Sequence, residues 1–569
     1  MASSNPISLL TFFILFFFLL SSPSHSTAPV TTVEICQSAT SPSFCRSFLP
    51  ASLASVHSHC RFTLAHALAR AHAFLGLVDA HLGLAPTLPT RIVSALHDCH
   101  SLAAANVEFI SSTLDTVNNT TQLLPFYEAD ELLSFISALI TNGDTCYEGL
   151  TVAAATTTSS VVGSVEKVLA ALSYDKNVYS LYLSLFKMGW VPENMKAPGL
   201  PEGKHFRLRR GPLNLKMSPE NRAYYDRLVH RKRPAAPGRR LLQTNYEAEG
   251  ILVNGIVAVD KNGSYDYTTI NAAIAAAPNN SAAGNGYFLI FVSSGVYNES
   301  VVVPKNKKYV LMIGEGNNQT IITGNNNVVD GSTTFNSATV VVEGTGFFGV
   351  NLTITNTAGA IKHQAVALRV SADLTTFYSC IFEGYQDTLY AHTLRQFYRE
   401  CDVYGTVDFI FGNAAVVIQN CNLYTRLPLS GQFNALTAQG RTDPNQNTGT
   451  SIHNCTIKPT AELAASPATK SYLGRPWKEY SRTVYMQSFI DAFIDPAGWK
   501  EWDGTLNLNT SYYAEFSNSG PGSDTSRRVK WAVGVINATV ASNFTVSSLL
   551  AGDQWLPPTT VPYTGGLIS

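Results

Sequence analysis

The chain has 569 residues, 39 Lys+Arg against 40 Asp+Glu, and is 45% hydrophobic, 11% aromatic and 14% charged. That is several times the material one core needs, so more than one domain is expected. Ample apolar content at low charge excludes a wholly disordered chain, and the near-zero net charge is not that of a nucleic-acid binder.

Residues 9–20 form the only long apolar run, and Ser24-His25-Ser26 follow it. A span needs about 20 residues, so 1–26 reads as a secretory signal peptide. Its start lacks Lys and Arg, which leaves an uncleaved anchor as the competing reading. In an oxidising compartment the nine cysteines are disulfide candidates before they are metal ligands. Sequons at Asn118, Asn119, Asn262, Asn279, Asn298, Asn318, Asn351, Asn454, Asn509, Asn537 and Asn543 suit the same route,.

Residues 31–190 are rich in Ala, Leu, Ser and Thr. Leu64 to Leu84 and Ala129 to Ile140 carry apolar residues at three- and four-residue spacings, which predicts amphipathic helices packed in a bundle,. Cys36 and Cys45 lie close together, while Cys99 and Cys146 each follow a helical stretch. One local bridge and one between helices is the economical arrangement, with Cys60 left over,. Seven of the 13 histidines fall between His57 and His100, but without the paired spacing of a zinc helix,. They read as polar helix positions, and no metal is expected.

Residues 200–242 hold twelve Lys and Arg against Glu202, Glu220 and Asp226. The stretch reads as an exposed linker, and Arg231-Lys232-Arg233 and Arg239-Arg240-Leu241-Leu242 are candidate processing sites. From about 246 to 569 the texture is short β segments divided by Gly, Asn, Asp and Pro: Val257 to Val259, Phe288 to Val292, Val301 to Val303, Tyr309 to Ile313, Thr339 to Val342 and Asn351 to Ile354,. Thr268 to Ala277 is the one clear helical interruption.

A repeat runs through this region. Ser379-Cys380, Glu400-Cys401, Asn420-Cys421 and Asn454-Cys455 each open the same pattern, at spacings of 21, 20 and 34 residues. Such a period predicts an all-β parallel β-helix, with equivalent residues about 4.8 Å apart on successive coils. That separation suits a disulfide, either Cys380–Cys401 or Cys401–Cys421.

The same register carries chemistry. Asp387 is seven residues after Cys380 and Asp408 seven after Cys401, so the two carboxylates should stand on neighbouring coils. Ionised neighbours repel, and one should keep its proton above the usual carboxylate range. A carboxylate beside a carboxylic acid is a base or nucleophile beside a general acid. Gln364 and Gln386 could offer amide donors to an oxyanion, and Arg475 could fix the ionised carboxylate. Asp in a turn is commonplace, so spacing alone does not separate catalysis from structure. Of the aromatics Tyr385, Tyr404, Phe409, Trp477 and Trp499, only Trp477 is favoured for substrate contact, because it adjoins Arg475.

At these residues the segment from about 246 onward closely resembles the plant pectin methylesterases. The matching motifs are Gly295-Val296-Tyr297-Asn298-Glu299, Gly331-Ser332-Thr333-Thr334-Phe335, Gln364-Ala365-Val366-Ala367-Leu368, Gly384-Tyr385-Gln386-Asp387-Thr388-Leu389, Val407-Asp408-Phe409-Ile410-Phe411-Gly412 and Leu473-Gly474-Arg475-Pro476-Trp477. Residues 31–190 resemble, more diffusely, the invertase/pectin methylesterase inhibitor domain, an all-α four-helix bundle whose two disulfides the Cys36/Cys45 and Cys99/Cys146 arrangement fits. The resemblance implies a right-handed β-helix preceded by a pro-domain, with Arg239-Arg240-Leu241-Leu242 as the processing motif of a subtilisin-like protease. It implies Asp408 as nucleophile, Asp387 as general acid/base, Gln364 and Gln386 as oxyanion donors, and Arg475 as the group orienting Asp408. Trp477 and Thr334 would contact substrate, together with Gln364 and Arg475, and Cys401–Cys421 is favoured over Cys380–Cys401. The implied substrate is methyl-esterified homogalacturonan in the plant cell wall, with no cofactor and with a separate inhibitor protein as a further partner.

Two competitors remain. A depolymerase on the same fold would shorten the polysaccharide, whereas an esterase releases methanol from intact chains. An inactive pectin-binding or inhibitor protein would be indifferent to loss of Asp408.

Overall fold

The computed structural model describes residues 31–155, 159–192, 213–230 and 250–568. The leader 1–26 and the motif Arg239-Arg240-Leu241-Leu242 lie outside the described residues.

The first part is helical. Two short helices, α1 (Thr32–Gln37) and α2 (Pro42–Phe48), precede four long ones: α3 (Val56–Leu82), α4 (Thr90–Val117), α5 (Phe126–Ala155) and α6 (Ser159–Trp190). Thr31 and Ser55 cap α1 and α3 through their hydroxyls, which satisfies backbone donors that a helix start leaves open. Small buried residues such as Ala67, Ala71 and Ala129 let the helices approach around Tyr182, Phe186 and Trp190. Cys36–Cys45 and Cys99–Cys146 are bridged, with Cα separations of 5.5 and 4.8 Å; Cys60 is buried and unbridged. The histidines serve the helices themselves: a ring nitrogen of His59 meets the Ser55 carbonyl and one of His57 meets that of Gly189.

The second part is a parallel β-helix. Each full coil gives one strand to each of three sheets, as in Thr375–Tyr378, then Ile381–Glu383, then Leu389–Ala391. Among the described residues the third sheet comprises β1 (Val301–Val303), β2 (Val340–Val342), β3 (Leu368–Val370), β4 (Leu389–Ala391), β5 (Val407–Gly412), β6 (Asn434–Gln439) and β7 (Ser471–Pro476), neighbours in that order. Inward residues of all three sheets make one continuous core, including Ile290, Ile322, Leu368, Phe382, Leu389, Tyr398 and Ile452. Helix Ile270–Ala276, capped by Thr269, closes one end.

The repeat has a backbone cause. Asn351, Ser379, Glu400, Asn420, Asn454, Gln487 and Ser517 all adopt left-handed φ values between 51° and 56°. Each turns the chain from the first sheet into the second. The conformation costs a non-glycine residue roughly 1–2 kcal/mol, less for Asn, and it aims the following residue into the core. That following residue is Cys380, Cys401, Cys421 or Cys455 in four consecutive coils, all buried.

Two expectations are corrected here. Cys401 and Cys421 are not bridged. Stacked in parallel register they are neighbouring thiols: Cys401 Sγ donates to Arg399 O at 3.3 Å, Cys421 Sγ to Gln419 O at 3.4 Å, and the Cys401 N–H donates to Cys421 Sγ at 3.3 Å. The 200–242 stretch is also not spacer throughout. Leu215–Lys216 pairs in parallel with Ile251 and Leu252, and α7 (Pro219–His230) follows. Leu215 and Leu228 are buried against Ile251 and Leu289. The dense Lys and Arg obscured these few apolar anchors.

Thiol counting on the unfolded, unreduced protein should find five free thiols, those of Cys60, Cys380, Cys401, Cys421 and Cys455. A count of three would mean one further bridge, Cys401–Cys421 or Cys380–Cys401, and would contradict this arrangement.

Candidate active site

Register alone brings the two aspartates together. Leu389 pairs with Ile410 and Tyr390 with Phe411, so Asp387 and Asp408, each two residues earlier, occupy equivalent positions on adjacent coils. The Asp387 N–H donates to Val407 O at 3.0 Å. Both aspartates have left-handed backbones, φ 64° and 52°, which turn their carboxylates onto the outer side of the third sheet's edge. Thr388 pins this corner, its hydroxyl lying 3.1 Å from Tyr385 O and 2.9 Å from Tyr404 O. Gly405 is required beneath it, since a Cβ there would meet the Phe409 Cβ at 2.1 Å.

Arg475 reaches Asp408 from two coils away. Its Nε donates to Oδ1 at 2.8 Å and its Nη2 to Oδ2 at 2.6 Å, a bidentate clamp that fixes the plane of the carboxylate. The guanidinium in turn lies 4.1 Å from the Trp502 ring centre and 5.3 Å from that of Phe433. Neither aromatic was singled out from sequence, because they stand outside every recognised motif and reach the site only through the coil geometry.

Electrostatics separate the pair. Burial, reinforced by the Asp408 charge and only partly offset by Arg475, pushes Asp387 well above the carboxylate range. Burial also raises Asp408, but the Arg475 hydrogen bonds and charge oppose it. The expected asymmetry is present, with desolvation rather than mutual repulsion as its larger cause.

Gln364 and Gln386 lie at the same corner on neighbouring coils; the Ala365 N–H donates to Gln386 O at 3.2 Å. Both are half-buried, and only their main-chain carbonyls are engaged. Thr334 stands in the turn ahead of β2, where its carbonyl accepts from Ser337. Trp477 packs edge-on to Phe411 at 6.0 Å and tilted against Trp502 at 6.4 Å. Tyr385 carries the Arg426 guanidinium 4.1 Å above its ring, Tyr404 stacks on Tyr424 at 4.6 Å, and Phe409 and Trp499 are core.

The helical bundle sits on this surface. The outward row Arg369, Tyr390, Phe411, Ala438 and Arg475 forms a floor across β3 to β7, with Tyr390 and Phe411 stacked at 4.1 Å. Phe74, Val78, Leu96 and Leu102 of the bundle share one apolar cluster with Phe335, Tyr390 and Phe411, and Trp477 and Trp502 border it. Around the cluster, Asp130 pairs with buried Arg395 at 3.2 Å, Thr141 accepts from Asn413 at 2.9 Å, and the Thr442 hydroxyl donates to Asp144 at 2.6 Å. This contact explains why α5 is buried almost without a break from Ile136 to Asn142.

The fold is a parallel β-helix that carries a buried aspartate pair, an arginine clamp and an aromatic floor on its third sheet. The comparisons carry this further. A family model described as Pectinesterase matches residues 256–553, and one described as Plant invertase/pectin methylesterase inhibitor matches 31–185. The chain is 52% identical over 544 residues to the Arabidopsis thaliana protein named Probable pectinesterase/pectinesterase inhibitor 20, covering 94% of each. It is 43% identical over 480 residues to Pectinesterase 2 of Citrus sinensis, covering 84% of this chain and 82% of that one. The solved structure titled Pectin methylesterase from Carrot shares 53% identity at a TM-score of 0.54, covering 55% of this chain and 98% of its own. The chain belongs to the pectinesterase family, and it is a pectinesterase that carries an inhibitor-type helical domain ahead of its β-helix.

The contact between the parts should weaken as pH rises. Burial raises Asp98 of α4 to about 7, against the opposing pull of Thr333, Arg369 and Asn336 and with the help of Glu343. Burial likewise raises Asp130, against Arg395 and Asn447 and with Asp373. A group whose pKa is higher when docked binds its proton more tightly there. Docking is therefore favoured in acid, and through Asp98 it loses up to about 1.4 kcal/mol per pH unit as pH climbs from about 4 toward 7, with Asp130 acting in the same direction,. Cutting the linker and measuring retention of the bundle across this range checks the slope; retention that improves with pH would contradict it.

Proposed function

We propose that Asp408 and Asp387 hydrolyse the C6 methyl esters of homogalacturonan by a two-step acyl transfer. The observation that carries the reading is the clamped Asp408 beside an Asp387 held protonated by burial. Asp408 attacks the ester carbonyl carbon through one carboxylate oxygen, and the carbonyl electrons move onto oxygen. The amides of Gln364 and Gln386 donate to that oxyanion. As the tetrahedral centre collapses, the bond to methoxide breaks and Asp387 gives it a proton, releasing methanol. A mixed anhydride remains between Asp408 and the sugar acid. Asp387, now ionised, takes a proton from water as the water adds to the sugar acyl carbon; cleavage frees Asp408 and the galacturonate, and Asp387 is again an acid. A carboxylate is a weak nucleophile, so fixed position and exclusion of water supply much of the rate. No step calls on a metal or an organic cofactor.

The reading extends to the helical part. The bundle holds the cleft closed in the full-length chain, and a subtilisin-like protease cutting at Arg239-Arg240-Leu241-Leu242 releases the enzyme into the plant cell wall. The apolar cluster shared by Phe74, Leu96, Tyr390 and Phe411 supports this, since it occupies the floor beside the dyad. A separate inhibitor protein of the same helical type would seat on the same floor. Among the described residues no helix is long and apolar enough to cross a membrane.

Methanol release and chain length should be followed together on highly methylated pectin, using the 243–569 segment and Asp408→Asn. The account expects methanol from chains of unchanged length and a loss of about 10⁴-fold in the variant. Shortened chains would point to a depolymerase, and an unaffected variant to a different nucleophile. Rate against pH should be bell-shaped, rising as Asp408 ionises and falling as Asp387 gives up its proton, with Asp387→Asn removing the alkaline limb. Adding residues 31–192 as a separate fragment should suppress the segment's activity; an unchanged rate would dismiss inhibition by the bundle.

A further inference from the structure

Residues 213–230 grip the β-helix on a different face from the bundle. The bundle covers the outer side of the third sheet, through Tyr390 and Phe411. The 213–230 segment lies instead on the outer side of the first sheet, where Leu215, Leu228, Ile251, Val253, Leu289 and Phe291 share one apolar cluster. Leu215–Lys216 extends that sheet at its N-terminal end by one short parallel strand. The Ile251 N–H donates to Asn214 O at 2.8 Å, just ahead of that strand.

The helix behind the strand is fitted to the same sheet. Leu228 of α7 is buried and Arg222 and Tyr225 are half-buried, a three-residue spacing that makes one stripe, while Glu220, Ala223, Asp226 and Arg227 are exposed,. Tyr225 stands edge-on to Phe291, with ring centres 6.3 Å apart. The Tyr224 hydroxyl donates to Asp266 Oδ2 at 2.6 Å, and the same oxygen accepts from the Ala258 N–H at 2.8 Å. Arg222 ties helix to strand by donating to Leu215 O. An isolated helix needs about 12–15 residues to be even marginal in water, and α7 has 12 with much of its surface charged. The sheet therefore supplies much of what keeps α7 helical.

Chain order gives this contact a consequence. The motif Arg239-Arg240-Leu241-Leu242 follows the segment, so a cut there leaves the bundle and 213–230 together on the severed part. That part then holds the β-helix at two separate faces. When one contact opens, the other keeps the severed part at high local concentration, and the first closes again before both have let go.

We propose that residues 213–230 are a second anchor, which keeps the severed N-terminal part on the β-helix after a cut at Arg239-Arg240-Leu241-Leu242. The cut makes opening of the cleft possible, and loss of the anchor sets its rate; both statements rest on the reading of that motif as the processing site. A cut ahead of Leu213 acts differently. It frees the bundle with one contact to break and leaves 213–230 on the enzyme as an additional strand and helix.

The test uses the full-length chain with a recognition site for a sequence-specific protease at one of two places, in place of Arg239–Leu242 or between Leu200 and Lys204. Each protein is cut to completion and diluted, and the separation of bundle from β-helix is followed by native mass spectrometry. Separation should be about a hundredfold slower after the later cut than after the earlier one, as linking two contacts gives. Leu215→Asp with Leu228→Asp should remove the difference, raising the slow rate and leaving the fast one unchanged. Tyr224→Phe keeps the ring and loses only the bond to Asp266, so it folds even where the double variant does not; it should raise the slow rate a few-fold. Mass is read without substrate, so the result is independent of whether the bundle inhibits. Resistance of the unaltered motif to a subtilisin-like protease would fault the processing reading alone. Equal separation rates after the two cuts overturn the anchor, as does a folded double variant that separates as slowly as the unaltered chain.

Discussion

Parallel, in-register stacking of coils is the constraint from which the rest of this molecule follows. One coil lies about 4.8 Å from the next, and the pairing of Leu389 with Ile410 therefore sets Asp387 above Asp408 without any need for a specially shaped pocket. The left-handed residues at each corner keep the stack in step, and the buried thiols behind them fill the core. A slip of one residue between these two coils would turn one aspartate inward and dissolve the pair. The site is thus a local consequence of a repeat that extends along most of the β-helix.

Burial then divides the labour between two chemically identical side chains. Asp408 is kept within reach of ionisation by a bidentate arginine, and Asp387 is denied any such partner. Arg475 is itself held over Trp502, so the clamp depends on a strand two coils away and on an aromatic beyond it. The helical bundle covers the same aromatic floor, and its rim carboxylates meet donors of the β-helix. The two parts of the chain are complementary over the surface that holds the aspartate pair.

The sequence made the repeat and the spacing of the two aspartates legible because both are properties of period. Cysteines 21 and 20 residues apart announce the coil, and the carboxylates seven residues further on inherit its register. The roles assigned to individual residues came from resemblance, not from period. Other features had no local signature. The seating of the bundle relies on Asp98, Asp130, Asp144 and Glu148, which as single acidic residues on helices look like any solvated face. Leu215 and Leu228 were hidden among basic residues. Spacing brings Cys401 and Cys421 onto neighbouring coils but does not say whether the two thiols join, and both are free.

The central claim is that Asp387 keeps a proton where an ordinary aspartate has lost it, beside an Asp408 that is ionised. Carboxyl-stretch difference infrared spectroscopy on the 243–569 segment, comparing the unchanged protein with Asp387→Asn near neutral pH, reads this directly. The account predicts a protonated-carboxyl band that vanishes in the variant while the Asp408 carboxylate band remains. A spectrum with no protonated carboxyl, or one whose protonated band survives the change, would contradict it.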